Sequence, residues 1–121
     1  MTFIDLMSYL LYCEATTQKM HWKSKSFARH VALGDMYEAM VDLVDEMNEI
    51  WLGKYGNDTP IPTKDWNADM SSEKAYVDQM FATLESFRKQ VFHDGDDYIE
   101  NKFEELQAIV ARAKYKIDNL S

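Results

Sequence analysis

The sequence predicts an all-α protein: a four-helix bundle made of two antiparallel hairpins joined by one long crossover. Three observations carry this. Helix breakers are scarce, with four glycines and two prolines among 121 residues, and good helix formers are common. Apolar residues recur at three- and four-residue steps in four separate stretches. Both prolines and two of the glycines gather in one stretch, GKYGNDTPIPTKDWNADM, from Gly53 to Met70. That stretch is too long for a tight turn and cannot be a regular helix. Apolar residues make up 46% of the chain, enough for one core, so residues 1–121 are expected to form a single domain.

The first helix is expected to start after Thr2, which forms a capping-box-like pair with Asp5. Phe3, Met7, Leu10, Glu14, Thr17 and His21 then fall on one stripe, and Ile4, Leu6, Leu11 and Tyr12 widen its apolar surface. The second helix is expected to start at Ser26, run to about Leu52 and stop at Gly53 or Gly56. Its core face carries Leu33, Met36, Met40, Leu43, Met47 and Ile50. Ile61 and Trp66 would anchor the crossover on the core. The third helix is expected to begin between Asp69 and Ser72 and to carry Val77, Met80, Phe81, Leu84, Phe87 and Val91. HDGDD turns the chain, and Asp97 with Glu100 looks like the next capping box. The fourth helix carries Ile99, Phe103, Leu106, Val110, Ala113, Ile117 and Leu120, a heptad spacing. Short first and last joints with a long middle link are the arrangement of ferritin-like bundles.

Composition removes several function classes. A formal net charge of −8 argues against nonspecific nucleic-acid binding, which uses Lys and Arg to displace counterions from phosphate. The one cysteine, Cys13, allows no internal disulfide and fits a reducing cytoplasm. It sits in an apolar helix, where a thiol packs. No secretory signal pattern and no bilayer-length apolar run is seen, so neither export nor a membrane is expected. There is no glycine-rich phosphate loop and no calcium-loop spacing.

The chemistry left is carboxylate and imidazole. Asp35, Glu38, Asp42, Asp45 and Glu49 follow three- and four-residue steps, which places them in one sector of the second helix, opposite its Met and Leu face. A solvated face is one reading. The other is a covered face, because a row of acids repels itself unless a cation or a basic partner lies against it. His21 and His30 flank the first joint, in KMHWKSKSFARH. They are either helix-end caps or metal ligands. Neutral imidazole beside carboxylate suits iron, manganese or zinc. No Glu-x-x-His pair exists, so a dinuclear site inside the bundle is not expected.

MHWKSKSF resembles the end of the first helix in Dps-type mini-ferritins, where His-Trp is followed by a short loop, a Phe and a second His. In that family iron is bound between two subunits. Two histidines come from one chain, and a D-x-x-x-E pair on the second helix comes from its mate. The resemblance implies His21 and His30 as the imidazole ligands, and Asp45 with Glu49, in DEMNE, as the carboxylates. A further family Asp falls at Gly34 here, with Asp35 beside it. The implied protein is an iron-binding homo-oligomer, a dimer or larger, with iron oxidation as a possible activity. The stretch from His21 to Gly56 is also similar to a group of small tailed-phage proteins. That similarity implies a host-cell cytoplasmic setting and an alternative role, an acidic helical bundle that binds a host protein without any metal.

Overall fold

A computed structural model describes residues 1–56 and 59–120, and its elements are four α-helices: α1 (Phe3–Lys23), α2 (Phe27–Tyr55), α3 (Glu73–Val91) and α4 (Asp97–Asn119). Asn57 and Asp58 of the predicted crossover lie outside the described residues, as does Ser121. Local chemistry sets the helix ends. Thr2 and Asp5 form the reciprocal capping box on α1. Ser26 caps α2 by accepting from the Arg29 N–H, and Ser72 caps α3 by accepting from the Ala75 N–H. Gly56 ends α2 at φ +56°, a left-handed position that favours glycine. Gly53, the other predicted stop, is an ordinary helical residue.

The helices form a four-helix bundle in which α1 packs on α2, α2 on α4, α4 on α3 and α3 on α1. The predicted stripes are mostly in the core. Leu33, Met36, Met40, Leu43 and Met47 of α2 are buried, as are Ile99, Phe103, Leu106, Val110, Ala113 and Ile117 of α4. Three predicted apolar positions are exposed instead: Leu11, Phe81 and Leu120. The first two lie on the outer faces of their helices, and Leu120 is the residue that follows α4. Tyr76 takes a core place beside Val77, and its hydroxyl donates to the Cys13 carbonyl at 3.1 Å. Burial also pushes the Cys13 thiol up to about 12, so this cysteine packs and does not react.

The link between α2 and α3 runs along α1. Ser8 Oγ donates to the Pro62 carbonyl at 2.8 Å and accepts from Trp66 Nε1–H at 3.2 Å. The Ala68 N–H donates to the Tyr12 hydroxyl at 3.1 Å. Ile61 and Trp66 pack on the core as expected. Phe3 stacks on Trp51, centroids 4.0 Å apart, at the start of this path, and Ser24 Oγ donates to Glu73 at 3.0 Å at its far end. Among the described residues no helix is long and apolar enough to cross a membrane.

A latch closes the end of the bundle where α2 stops. The predicted Asp97–Glu100 box is replaced by Asp96, which precedes α4 but makes no side-chain cap on it. The buried Asp96 carboxylate accepts instead from Lys54 Nζ at 2.7 Å, from the Tyr55 hydroxyl and from the His93 N–H at 2.8 Å. Lys54 also donates to the Gly95 carbonyl at 2.7 Å. Burial alone would raise the Asp96 carboxyl, but Lys54, Tyr55 and the His93 amide hold it down at about 2. A depressed carboxylate stabilises the fold above its unfolded value of 3.8 and ceases to as pH falls through about 2. Asp96→Asn is therefore expected to melt several degrees below wild type at pH 7. The gap should close between pH 4 and pH 2, which thermal melts followed by circular dichroism will show.

Candidate metal centre on the α1–α2 face

His21 ends α1 and His30 lies in the first turn of α2, and the joint between them is only three residues. This brings the imidazoles into a stack, with centroids 3.8 Å apart and planes 17° from parallel. Each ring is tied to the other's backbone. Nδ1 of His21 is 2.6 Å from the His30 carbonyl oxygen, and Nδ1 of His30 is 2.7 Å from the His21 carbonyl oxygen. A carbonyl oxygen can only accept, so both Nδ1 atoms carry hydrogen. The neutral rings therefore keep their lone pairs on Nε2, the tautomer that a metal-ligating histidine adopts when a backbone carbonyl fixes its other nitrogen.

The sequence left caps and ligands open for these histidines; His30 caps the end of α1 through the His21 carbonyl, while His21 bonds a carbonyl in the first turn of α2, and each ring keeps Nε2 outside these bonds. Nearly parallel rings cannot aim both lone pairs at one ion. One ring supplies a ligand as the structure stands, and a chelate by both requires one ring to turn.

Gly34 explains how the stack fits. A Cβ at position 34 would lie 2.8 Å from His21 Cε1 and 3.0 Å from its Nδ1. The His21 ring occupies the space that any side chain would need. The position that the mini-ferritin resemblance assigns to an aspartate is thus closed to one while His21 is clasped.

The carboxylates stand elsewhere. Asp45 is fifteen residues beyond His30, roughly 22 Å along a helix rising 1.5 Å per residue. Among the described residues no three His, Cys, Asp or Glu side chains of one chain gather closely enough to hold an ion. All five acids of the α2 row are exposed. The row's two edges have neighbours. Asp35 lies 4.0 Å from Lys116 of α4, and Asp45 faces Glu14 of α1 across a hollow of about 290 Å³ lined also by Met7, Leu11 and Ile61. Burial raises the half-buried Glu14 carboxyl, and the Asp45 charge raises it further. Among the described residues Glu38, Asp42 and Glu49 take part in no ion pair. The closeness of Glu14 and Asp45 was missed in the sequence because the two were assigned to opposite surfaces, inner and outer. Both lie at the seam between α1 and α2.

The acid row is also the middle of a longer stripe. Phe27 and Val31 precede it and Leu52 follows it at the same three- and four-residue steps, so all share one sector of α2. Phe27 is 80% exposed, and Val31 and Leu52 are exposed too. Trp22, at the end of α1, is 69% exposed beside this corner. Large apolar side chains thus stand in water at one end of the acidic row.

Residues 21–117 match DUF5856, a family of unknown function. The chain belongs to this family. The DUF5856 match starts at His21 and takes in His30, Gly34 and the whole α2 stripe. No curated protein and no solved structure matches the chain.

In this DUF5856 protein, Gly34→Ala is expected to push the His21 ring off α2 and break its bond to the His30 carbonyl. Long-range ¹H–¹⁵N imidazole spectra near neutral pH should show Nδ1–H on both wild-type rings and its loss from His21 in the variant. Nε2–H on either wild-type ring would contradict the clasp.

Proposed function

We propose that this protein is a ferritin-like metal binder that works as a pair of copies joined across α2, with the ion held between His21 or His30 of one copy and Asp45 and Glu49 of the other. The observation that carries the reading is the register of the exposed stripe. An antiparallel pairing that sets Phe27 of one copy on Leu52 of the second brings Val31 opposite Glu49, Asp35 opposite Asp45, and Glu38 opposite Asp42. Apolar ends then cover one another, which favours association. The middle sets acid against acid, which opposes it unless a cation lies between.

That register also solves the distance found within one chain. His30 precedes Val31, so it comes beside Glu49 of the second copy, with Asp35 and Asp45 one turn away. A mixed imidazole and carboxylate donor set suits iron(II), with manganese or zinc as substitutes. The carbonyl-anchored Nδ1 atoms leave Nε2 as the nitrogen on offer. The packing order of the helices, each touching two neighbours, and the link lying along α1 suit a ferritin-like bundle. A two-fold pair would hold two equivalent sites. The residues support binding; oxidation of the bound iron would be a further property of the same site.

Anaerobic iron(II) titration of metal-free protein, combined with native mass spectrometry, tests this. Two ions per pair are expected, with Asp45→Asn and Glu49→Gln each weakening binding about tenfold or more. Phe27→Asp should shift the mass toward a single chain. A protein that stays single with iron present, or whose iron binding ignores both acid substitutions, ends this reading. The unpaired acids would then speak for the other role, capture of a basic protein partner, for which charge reversal at Glu38, Asp42 and Glu49 is the deciding change.

A further inference from the structure

A hollow of about 430 Å³ lies away from the α2 stripe, where the α1–α2 joint meets the start of α3. Lys23, Lys25 and Arg29 line it, with Glu73 as the one carboxylate. In a chain of net charge −8 this is an unusual balance. Elsewhere Lys54, Lys74, Arg88, Lys102, Lys114 and Lys116 each meet a carboxylate, and Lys19, Lys64, Lys89 and Arg112 stand apart from one another outside the hollow. The three cations of this hollow take part in no ion pair among the described residues.

Arg29 makes the point most sharply. Its guanidinium is partly buried at the end of the bundle, and its one hydrogen bond is from Nη2 to the Ile117 carbonyl at 3.3 Å. Among the described residues Nε, which is shielded from water, has no partner. Partly buried arginines are normally met by an anion, because a guanidinium with five N–H donors is costly to leave unsatisfied.

The rest of the lining donates as well. Ser26 and Ser72 both accept a backbone N–H with their hydroxyl oxygens, so each hydroxyl proton remains free to donate. They cap two different helices, α2 and α3, whose N-terminal ends both border the hollow. Glu73 is already engaged by Ser24 Oγ at 3.0 Å. Met20 and Met70 supply an apolar wall.

From these observations we infer that this hollow binds a small phosphorylated molecule, with the phosphoryl group among Lys23, Lys25, Arg29 and the two cap hydroxyls and the organic part against Met20 and Met70. A phosphoryl group matches the donors better than a carboxylate, having three acceptor oxygens and the greater charge. The volume lies within the ordinary range of small-molecule pockets, about 300–1,000 Å³. This inference is independent of the pairing proposed above.

The test is an amide NMR titration of the full chain, free of divalent metal and at physiological salt, with inorganic phosphate and with phenyl phosphate. Saturable shifts are expected at Phe27, Ala28, Glu73 and Lys74, with phenyl phosphate binding the tighter of the two. The double substitution Lys23→Gln/Lys25→Gln should weaken both ligands by about tenfold while leaving the thermal melt unchanged. Arg29→Gln should weaken them further, at some cost in stability. The inference is overturned by shifts that do not saturate, by shifts spread over Lys64, Lys89 and Arg112, or by affinity indifferent to the double substitution. Equal affinity for the two probes would remove the apolar wall from the site and with it the organic ligand.

Discussion

The two hydrogen bonds between the histidine rings and each other's carbonyls organise the functional end of this molecule. A three-residue joint gives the chain little room to reverse, and the last carbonyls of α1 lack helical partners. His30 supplies one of those partners, and His21 returns the bond to α2. The clasp fixes how α1 and α2 meet. It thereby sets where Trp22 and Phe27 emerge, how the two α2 edges face α1 and α4, and where Lys23, Lys25 and Arg29 converge. It also demands glycine at position 34. One local arrangement thus positions the imidazole donors and the basic hollow, on different sides of the same joint.

Charge is sorted along the same axis. Among the described residues, six of the chain's thirteen lysines and arginines form ion pairs, several of them between helices, such as Lys114 between Asp78 and Asp118 or Arg88 with Glu100 and Glu104. These surface pairs contribute little stability each. What they do is neutralise α3 and α4. Of the charge left unpaired, two groups are concentrated, positive around the α1–α2 joint and negative along the outside of α2. Both are surfaces where an added ligand of opposite sign gains more than it would elsewhere on the protein.

The helices and their core were legible in the sequence because burial imposes a period, and periods survive in a single chain. The α4 heptad as far as Ile117 and the α2 Met and Leu face as far as Met47 were read correctly from spacing alone. Caps were legible where they were local, as at Thr2 and Ser26. The cap before α4 was misread because Asp96 is recruited by Lys54 and Tyr55, more than forty positions away, and tertiary contacts of that range leave no local signal. Leu11 and Phe81 failed for a related reason: periodicity gives the face of a residue but not whether a neighbour covers it. The site was legible only in its parts. Two histidines near a joint suggested proximity, but the stack, the tautomers and the need for Gly34 depend on how two helices cross. The basic hollow escaped notice because its residues come from two distant segments, 20–29 and 70–73, which only the fold brings together.

An exposed stripe with apolar ends and an acidic middle differs from the usual interface, in which the apolar part lies at the centre and charge forms the rim. Inverting that order changes what controls association. Phe27, Val31 and Leu52 offer limited apolar area, and the acids between them oppose any close approach of a second α2. Pairing across this stripe would therefore be weak in the absence of cations and strong in their presence, since an ion bound only by the pair stabilises it by mass action. The same acids that keep the free chain apart would then hold the metal-loaded pair together. If the proposed pair forms, the metal and the second copy would be not two ligands of the protein but one linked equilibrium. The ion concentration would set the fraction of chains that are paired, and the protein concentration would set the apparent affinity for the ion.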